Sequence, residues 1–388
     1  MPPEIKHMTD TKQKILIMAG GTGGHVFPAL SIAEYLQQHG VQVEWLGTRH
    51  GLEASVIPAA NIRLHTIAVA GLRGSSLGRK LLAPLVLVLA VLQSLVKVIQ
   101  IRPGCVLGMG GFVTGPGGLA AWLLRRKLLI HEQNAIAGLT NQLLFPLAST
   151  VMEAFPGAFA RKQELTKNGL LKKFIKPDTT IVVGNPVREE IAALGKVVAT
   201  EADADRPLRL LVIGGSLGAV AINKIIPAML TLMPATQRPQ IWHQCGKRNI
   251  DETRADYAGL GITLDDNTRV EPFIDDMGAA YQWADIIVAR AGAMTVAEIA
   301  AVGLASILIP YPYAVDDHQT ENAAYLQRAG AAEVIPQQEL YAEHLLAAVS
   351  RFANDRHALM QASLNARQAG VPDATARAAG YCMEACYV

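Results

Sequence analysis

Cysteine is scarce in this chain: Cys105, Cys245, Cys382 and Cys386 are the only four in 388 residues. No two of them form the doubled Cys-x-x-Cys spacing of a zinc site, so they read as buried or incidental thiols in a reducing compartment. Excess charge of one sign is also lacking. A formal net charge of +2 excludes nucleic acid as a bulk electrostatic partner. No secretory-signal pattern precedes the first apolar strand. An apolar run long enough to cross a membrane is missing too. The most apolar stretch, residues 81–96, stays uncharged for only sixteen residues where about 20 are needed, and Pro84 interrupts its start.

What the chain does have is glycine after strands. The apolar stretch 14–20 turns through Gly20, Gly21, Thr22, Gly23, Gly24 and His25 into a helical pattern. Glycines lacking a Cβ let a ligand approach the backbone, and a helix N-terminus favours an anion. Half a chain length later the design recurs, as 208–213 runs into Gly214, Gly215, Ser216, Leu217 and Gly218. Strands alternating with helices are expected at 14–20, 41–47, 62–69, 105–108, 128–132, 151–155 and 181–183. A second series is expected at 208–213, 240–244, 269–273, 285–289, 305–309 and 332–335. This is an α/β chain with two Rossmann-like domains of parallel sheet and a shared cleft. The expected division is residues 14–187, a linker at 188–207, and residues 208–370. A last helix at 374–388 is expected to pack back on the first domain.

The stretch 81–96 admits two readings. It is either a buried crossover helix or a helix lying in a membrane interface. Leu81, Leu82, Leu85 and Leu89 supply the apolar surface; Arg73, Arg79, Lys80, Lys97 and Arg102 flank it with positive charge. A helix apolar on every side cannot be satisfied by one sheet face, which favours membrane contact.

Neither glycine loop is a dinucleotide or ATP motif. G-x-G-x-x-G from Gly21 would need glycine where Val26 stands, the second strand ends without an acidic residue, and no lysine follows either loop. His25 is either a solvated residue at a helix start or a general base kept neutral by the helix end. Residues 108–118 hold six glycines; with Gly20 and Gly21, the positions Gly110, Gly111 and Gly117 are candidates to cradle a pyrophosphate. Around Gly292, Ala293, Met294, Thr295 and Glu298, either Thr295 and Glu298 form a capping box, or the turn binds diphosphate and Glu298 accepts two sugar hydroxyls. Asp316, Asp317, His318 and Gln319 suit either a metal or sugar hydroxyls.

Together the loop 20–28, the glycine cluster 108–118, His131-Glu132-Gln133-Asn134, residues 183–188, 214–218, 290–293 and Asp317-His318-Gln319 resemble the MurG family. That family consists of UDP-N-acetylglucosamine transferases that make the peptidoglycan precursor lipid II. The resemblance spans residues 14–385, and its departures are a longer, basic 161–178 and Ala291 in place of a frequent serine. It implies a GT-B glycosyltransferase that inverts at the anomeric carbon and needs no obligatory cofactor or metal. UDP-N-acetylglucosamine would be held by Ser216, Ile274, Ala293, Met294, Thr295, Glu298, His318 and Gln319. Thr22, Gly23, Gly24, Asn134 and Arg188 would complete that site across the cleft. Lipid I would place its pyrophosphate on the first domain's glycines, with His25 deprotonating its 4-hydroxyl. The resemblance also implies a peripheral location on the cytoplasmic face of the bacterial inner membrane, against an anionic surface, and leaves cell-wall synthesis proteins open as partners. Two rival readings are a UDP-N-acetylglucosamine 2-epimerase of the same fold and a noncatalytic membrane-associated binder of nucleotide sugars.

Overall fold

The computed structural model describes residues 13–69, 77–160, 179–195, 206–215, 219–314 and 317–387, with backbone alone over 77–81. Strands β1 (Lys14–Met18), β2 (Gln42–Gly47), β3 (Arg63–Thr66), β4 (Cys105–Gly108), β5 (Lys127–Glu132), β6 (Thr150–Glu153) and β7 (Thr179–Val182) form one parallel sheet, ordered β3-β2-β1-β4-β5-β6-β7. Helices α1 (Gly23–Gln38), α2 (Glu53–Ala59), α3 (Leu77–Ile101), α4 (Thr114–Leu123) and α5 (Leu139–Leu144) connect them.

The second sheet runs β10-β9-β8-β11-β12-β13. Its strands are β8 (Arg209–Ile213), β9 (Gln240–Gln244), β10 (Thr268–Glu271), β11 (Ile286–Ala289), β12 (Ala305–Leu308) and β13 (Ala332–Val334). Its helices are α6 (Val220–Thr231), α7 (Ile250–Gly259), α8 (Met277–Trp283), α9 (Ala293–Val302), α10 (His318–Arg328), α11 (Ala342–Asn354) and α12 (Arg356–Ala369). Every strand starts or ends within a few residues of its expected stretch.

Strand β1 explains why the pattern was legible. Ile15 and Ile17 enter one core with Ile32 and Leu36, while Leu16 and Met18 enter the other with Val98 and Ala120. A strand covered on both faces must be apolar at every position, and each such side chain contributes about 1.5–3 kcal/mol on burial. In both sheets the loops that matter leave the carboxyl ends of parallel strands, the usual place for ligands in such folds.

The final helix α13 (Ala374–Tyr387) returns to the first domain, where Ala378, Ala379 and Cys382 join the core around Ile32 and Ala33. That return joins Cys386 to Cys105 as a disulfide, with Cα atoms 5.0 Å apart. The reading of all four cysteines as incidental thiols therefore fails for this pair. The two positions are 281 residues apart in sequence, and only tertiary packing brings them together.

The expected linker is also revised at its start. Residues Glu189–Ala192 form a helical turn, and Ile191 is fully buried with Tyr281 and Ile299 of the second domain. Residues 196–205 lie outside the described residues, as does 161–178.

Candidate active site

His25 sits in the first turn of α1, after the exposed Gly21 and Thr22, with its backbone N–H donating to Thr22 O at 3.1 Å. Its Nδ1 lies 2.9 Å from Gln133 Oε1. Gln133 Nε2 in turn lies 3.1 Å from His131 Nδ1 and 3.2 Å from the His131 carbonyl oxygen. The chain of contacts ends where His131 Nε2 meets Gly184 O at 3.0 Å. His131 is wholly buried, and burial, opposed by the Gly184 carbonyl and by Glu132, lowers its pKa to about 4.

The second glycine loop is pinned under this ring. Thr114 Oγ1 contacts both Met18 O and Gly110 O, at 3.0 and 2.7 Å. A Cβ on Gly110 would stand 2.9 Å from the His25 ring, and one on Gly111 would collide with the Gly20 carbonyl at 2.2 Å. Both glycines also take positive φ. They are required for one loop to approach the other.

Two of the expected pyrophosphate contacts are corrected. Gly117 is buried inside α4, where a Cβ would meet Met18 Sδ at 2.3 Å and Leu46 at 3.0 Å. Its role is close helix-to-sheet packing, and it does not face the cleft. The Gly21 N–H already donates to Glu53 Oε2 at 3.2 Å. Glu53, fully buried, also accepts from the Thr48 N–H at 2.9 Å and the Thr48 hydroxyl at 2.7 Å. Beside these loops an open cavity of about 860 Å³ is lined by Gly20, Thr48, Arg49, Leu92, Lys97 and Phe112 among others.

Across the cleft, α9 begins at Ala293 with Gly292 as its N-cap, and its first helical bond runs from the Val296 N–H to Gly292 O at 2.9 Å. The Ala293, Met294 and Thr295 amides therefore precede the helix's own ladder and present a positive end. Thr295 stands at the third helical position, so the capping-box reading fails. Glu298 instead accepts the Tyr281 hydroxyl at 2.8 Å and faces Arg188 Nη2 at 3.5 Å. Burial raises its pKa, against the lowering effects of Arg188 and Tyr281. Ile274 is buried in the loop after β10. Ser216 lies outside the described residues, as does Asp316.

Helix α10 opens on His318 and Gln319, whose Oε1 accepts the Tyr311 N–H at 2.9 Å. The next turn carries a residue that the sequence reading missed. Asn322, fully buried, accepts the Ala135 N–H at 2.8 Å, and its Nδ2 contacts Asn134 Oδ1 at 3.3 Å and Ala291 O at 3.2 Å. Its place three residues past Gln319, on the same helix face, was the available signal. Glu132 shapes the loop that Asn322 grips, accepting the Asn134 and Gly138 N–H groups, each at 3.0 Å.

Helix α3 is longer than the uncharged stretch within it. Residues Leu82–Ile101, mean hydropathy 2.3, are long and apolar enough by composition to cross a membrane, which corrects the length-based exclusion. Packing keeps the helix on the domain all the same. Ala90, Ser94, Val98 and Ile101 form one buried stripe, while Leu82, Leu85 and Leu89 are 58%, 58% and 48% exposed. Helix α3 packs on α4 and α4 on α5, whose Trp122, Leu123, Leu139 and Leu143 are exposed as well. Arg73 lies outside the described residues, and so do the side chains of Arg79, Lys80 and Leu81.

Residues 15–153 match the glycosyltransferase family 28 N-terminal domain, and residues 209–378 match the family 28 C-terminal domain. A Marinobacter nauticus protein named UDP-N-acetylglucosamine--N-acetylmuramyl-(pentapeptide) pyrophosphoryl-undecaprenol N-acetylglucosamine transferase is 47% identical, over 97% of this chain and 99% of its own. The crystal structure of Acinetobacter baumannii MurG is 36% identical with a TM-score of 0.77, covering 96% of this chain and 99% of that one. A Neisseria meningitidis UDP-GlcNAc 2-epimerase has a TM-score of 0.65 over 96% of this chain and 100% of its own, at 14% identity, which is a likeness of fold alone.

Proposed function

The chain belongs to the MurG family within glycosyltransferase family 28, and from that membership we propose how its two domains divide the work. It is a UDP-N-acetylglucosamine-dependent glycosyltransferase that moves N-acetylglucosamine to lipid I, forming lipid II for peptidoglycan synthesis. The epimerase reading has behind it only likenesses of fold, at 14–15% identity.

In the proposed mechanism the second domain holds the donor. Glu298 accepts the ribose hydroxyls, the Ile274 backbone reads uracil, and Ser216 with the first-turn amides of α9 holds the diphosphate. His318 and Gln319 read the sugar, while Asn134, Arg188 and the loop Thr22, Gly23, Gly24 close the site. The first domain holds the acceptor, its pyrophosphate near Gly20, Gly110 and Gly111 and its lipid toward α3. His25 takes the proton of the muramoyl 4-hydroxyl as that oxygen attacks the anomeric carbon. The bond to UDP breaks on the opposite side, so the carbon inverts. Positive helix ends and backbone N–H groups stabilise the departing UDP without an obligatory metal.

The observation that carries this reading is the pair of adjacent contacts at Gln133 and Asn134. Gln133 touches His25, and the next two residues are gripped by Asn322 one turn beyond Gln319. The apolar exposed face of α3 with Lys97 supports a peripheral position on the cytoplasmic face of the inner membrane, against anionic lipid.

Incubation with labelled UDP-N-acetylglucosamine and a short-chain lipid I analogue tests the assignment. Transfer to the 4-hydroxyl with inversion, unaffected by a chelator, is expected. Epimerised sugar, or donor binding without turnover, would overturn it.

A further inference from the structure

We propose that Gln133 and His131 act as positioning residues that lock the His25 ring into one tautomer, with hydrogen on Nδ1 and the lone pair of Nε2 directed at the acceptor hydroxyl. This rests on the reading of His25 as the general base.

One group at the end of this chain of contacts has an unalterable hydrogen-bonding sense. Gly184 O is a backbone carbonyl and can only accept, so His131 Nε2, at 3.0 Å, carries a hydrogen. His131 is wholly buried, and a ring in that setting is neutral, with only one N–H. Its Nδ1 is therefore an acceptor. The Gln133 amide places its NH2 group on that Nδ1 and on the His131 carbonyl, at 3.1 and 3.2 Å. Both contacts demand donors, so the amide cannot be turned over. Gln133 Oε1 must face the other way, and it lies 2.9 Å from His25 Nδ1. An amide oxygen only accepts, so His25 Nδ1 carries the hydrogen. One backbone carbonyl in β7's following turn thus dictates, through two side chains, which nitrogen of His25 is free.

The lock matters because a free imidazole in water favours the opposite tautomer. With hydrogen on Nε2, His25 would offer a donor to the hydroxyl it has to deprotonate. In the locked form the acceptor O–H bond breaks and an Nε2–H bond forms, while Nδ1–H stays on the amide oxygen. Gly110 keeps the ring in register, since a Cβ there would stand 2.9 Å from both Cε1 and Nδ1.

Nitrogen NMR of the full-length protein with 15N-labelled histidine reads the tautomer directly, at a pH where the ring is neutral. The His25 signals are assigned by their loss in His25→Ala. The expected result is a pyrrole-like Nδ1 and a pyridine-like Nε2; the reverse pattern, or an even mixture, overturns the proposal. In Gln133→Leu the signals should revert toward Nε2–H, with kcat down about ten- to a hundredfold, less than removal of the base itself costs, and the donor KM unchanged. If Gln133→Leu leaves the His25 tautomer unchanged, the amide oxygen is not the lock. If the wild-type tautomer is as stated but His25→Ala turns over normally, the base reading fails while the lock stands.

Discussion

Asn322, carried by the second domain, accepts the backbone N–H of Ala135 in the first domain at 2.8 Å. The same amide donates to Asn134 and Ala291, so one buried side chain satisfies groups on both walls of the cleft. Asn322→Ala leaves at least one buried polar group unpaired, at a cost of roughly 1–3 kcal/mol. Because the groups proposed to hold the uracil, ribose and diphosphate (Ile274, Glu298, Ser216 and the α9 amides) all belong to the second domain, UDP affinity should change less than twofold. Transfer should fall about 5- to 150-fold. Calorimetry with UDP and turnover on a short-chain acceptor check the two halves of this expectation; equal losses in both would mean that Asn322 acts on the donor.

Glu298 faces a pH dependence with two opposite signs. Burial raises its pKa above the ordinary carboxylate value. The folded chain therefore binds this proton more tightly than the unfolded chain does. Its contribution to stability is present below the unfolded pKa and is lost as pH rises through the folded one. Donor binding runs the other way, because only the carboxylate accepts two ribose hydroxyls. UDP affinity should weaken as pH falls, starting above the range where an exposed glutamate titrates. Glu298→Ala should lose that pH dependence and about 1.5–3 kcal/mol of UDP affinity. Isothermal titration across pH reads both, and an unchanged affinity in the variant would remove Glu298 from the site.

Helix α3 offers a surface whose replacement should spare the fold. Leu85 and Leu89 are exposed, whereas Ala90 and Val98 are buried. The Leu85→Glu, Leu89→Glu double variant should abolish binding to anionic vesicles and still act on a water-soluble acceptor. Wild-type binding should weaken with salt, since each basic residue near the surface contributes about 1 kcal/mol. Val98→Asp should instead lower Tm. Sedimentation with vesicles and thermal melting distinguish the two faces; loss of activity on both acceptors in the leucine variant would place this helix in the catalytic fold.

Gly117→Ala tests packing against ligand binding. Its Cβ would press on Met18 Sδ from 2.3 Å. Overpacking of this kind costs about 1–3 kcal/mol. A lower Tm with an unaltered acceptor KM is expected. The converse, a raised KM at unchanged Tm, would return Gly117 to the pyrophosphate site.

The strands were readable because parallel strands such as β1 bury both faces and so appear as unbroken apolar runs. The placement of His25 and Glu298 was readable because each follows a glycine turn at the start of a helix, a local pattern. Asn322 was not, since nothing in a helix sequence records which backbone N–H will meet it from another domain. Gly117 was misread for a related reason. A glycine facing a ligand and a glycine facing Met18 look alike until the sheet beneath is known. The Cys105–Cys386 link and the buried stripe of α3 depend on contacts between distant segments, and neither has a local signature.

The return of α13 also has a consequence for how the molecule is made. Ala378, Ala379 and Cys382 occupy the core beneath α1, yet they are translated after the whole of the second domain. On the ribosome, the nascent first domain therefore waits with an apolar furrow open along α1 while the second folds. The first domain is discontinuous in the gene although contiguous in space. A fragment ending at residue 187 would lack part of its own interior, and a rearranged gene joining residues 371–387 ahead of residue 13 would restore it.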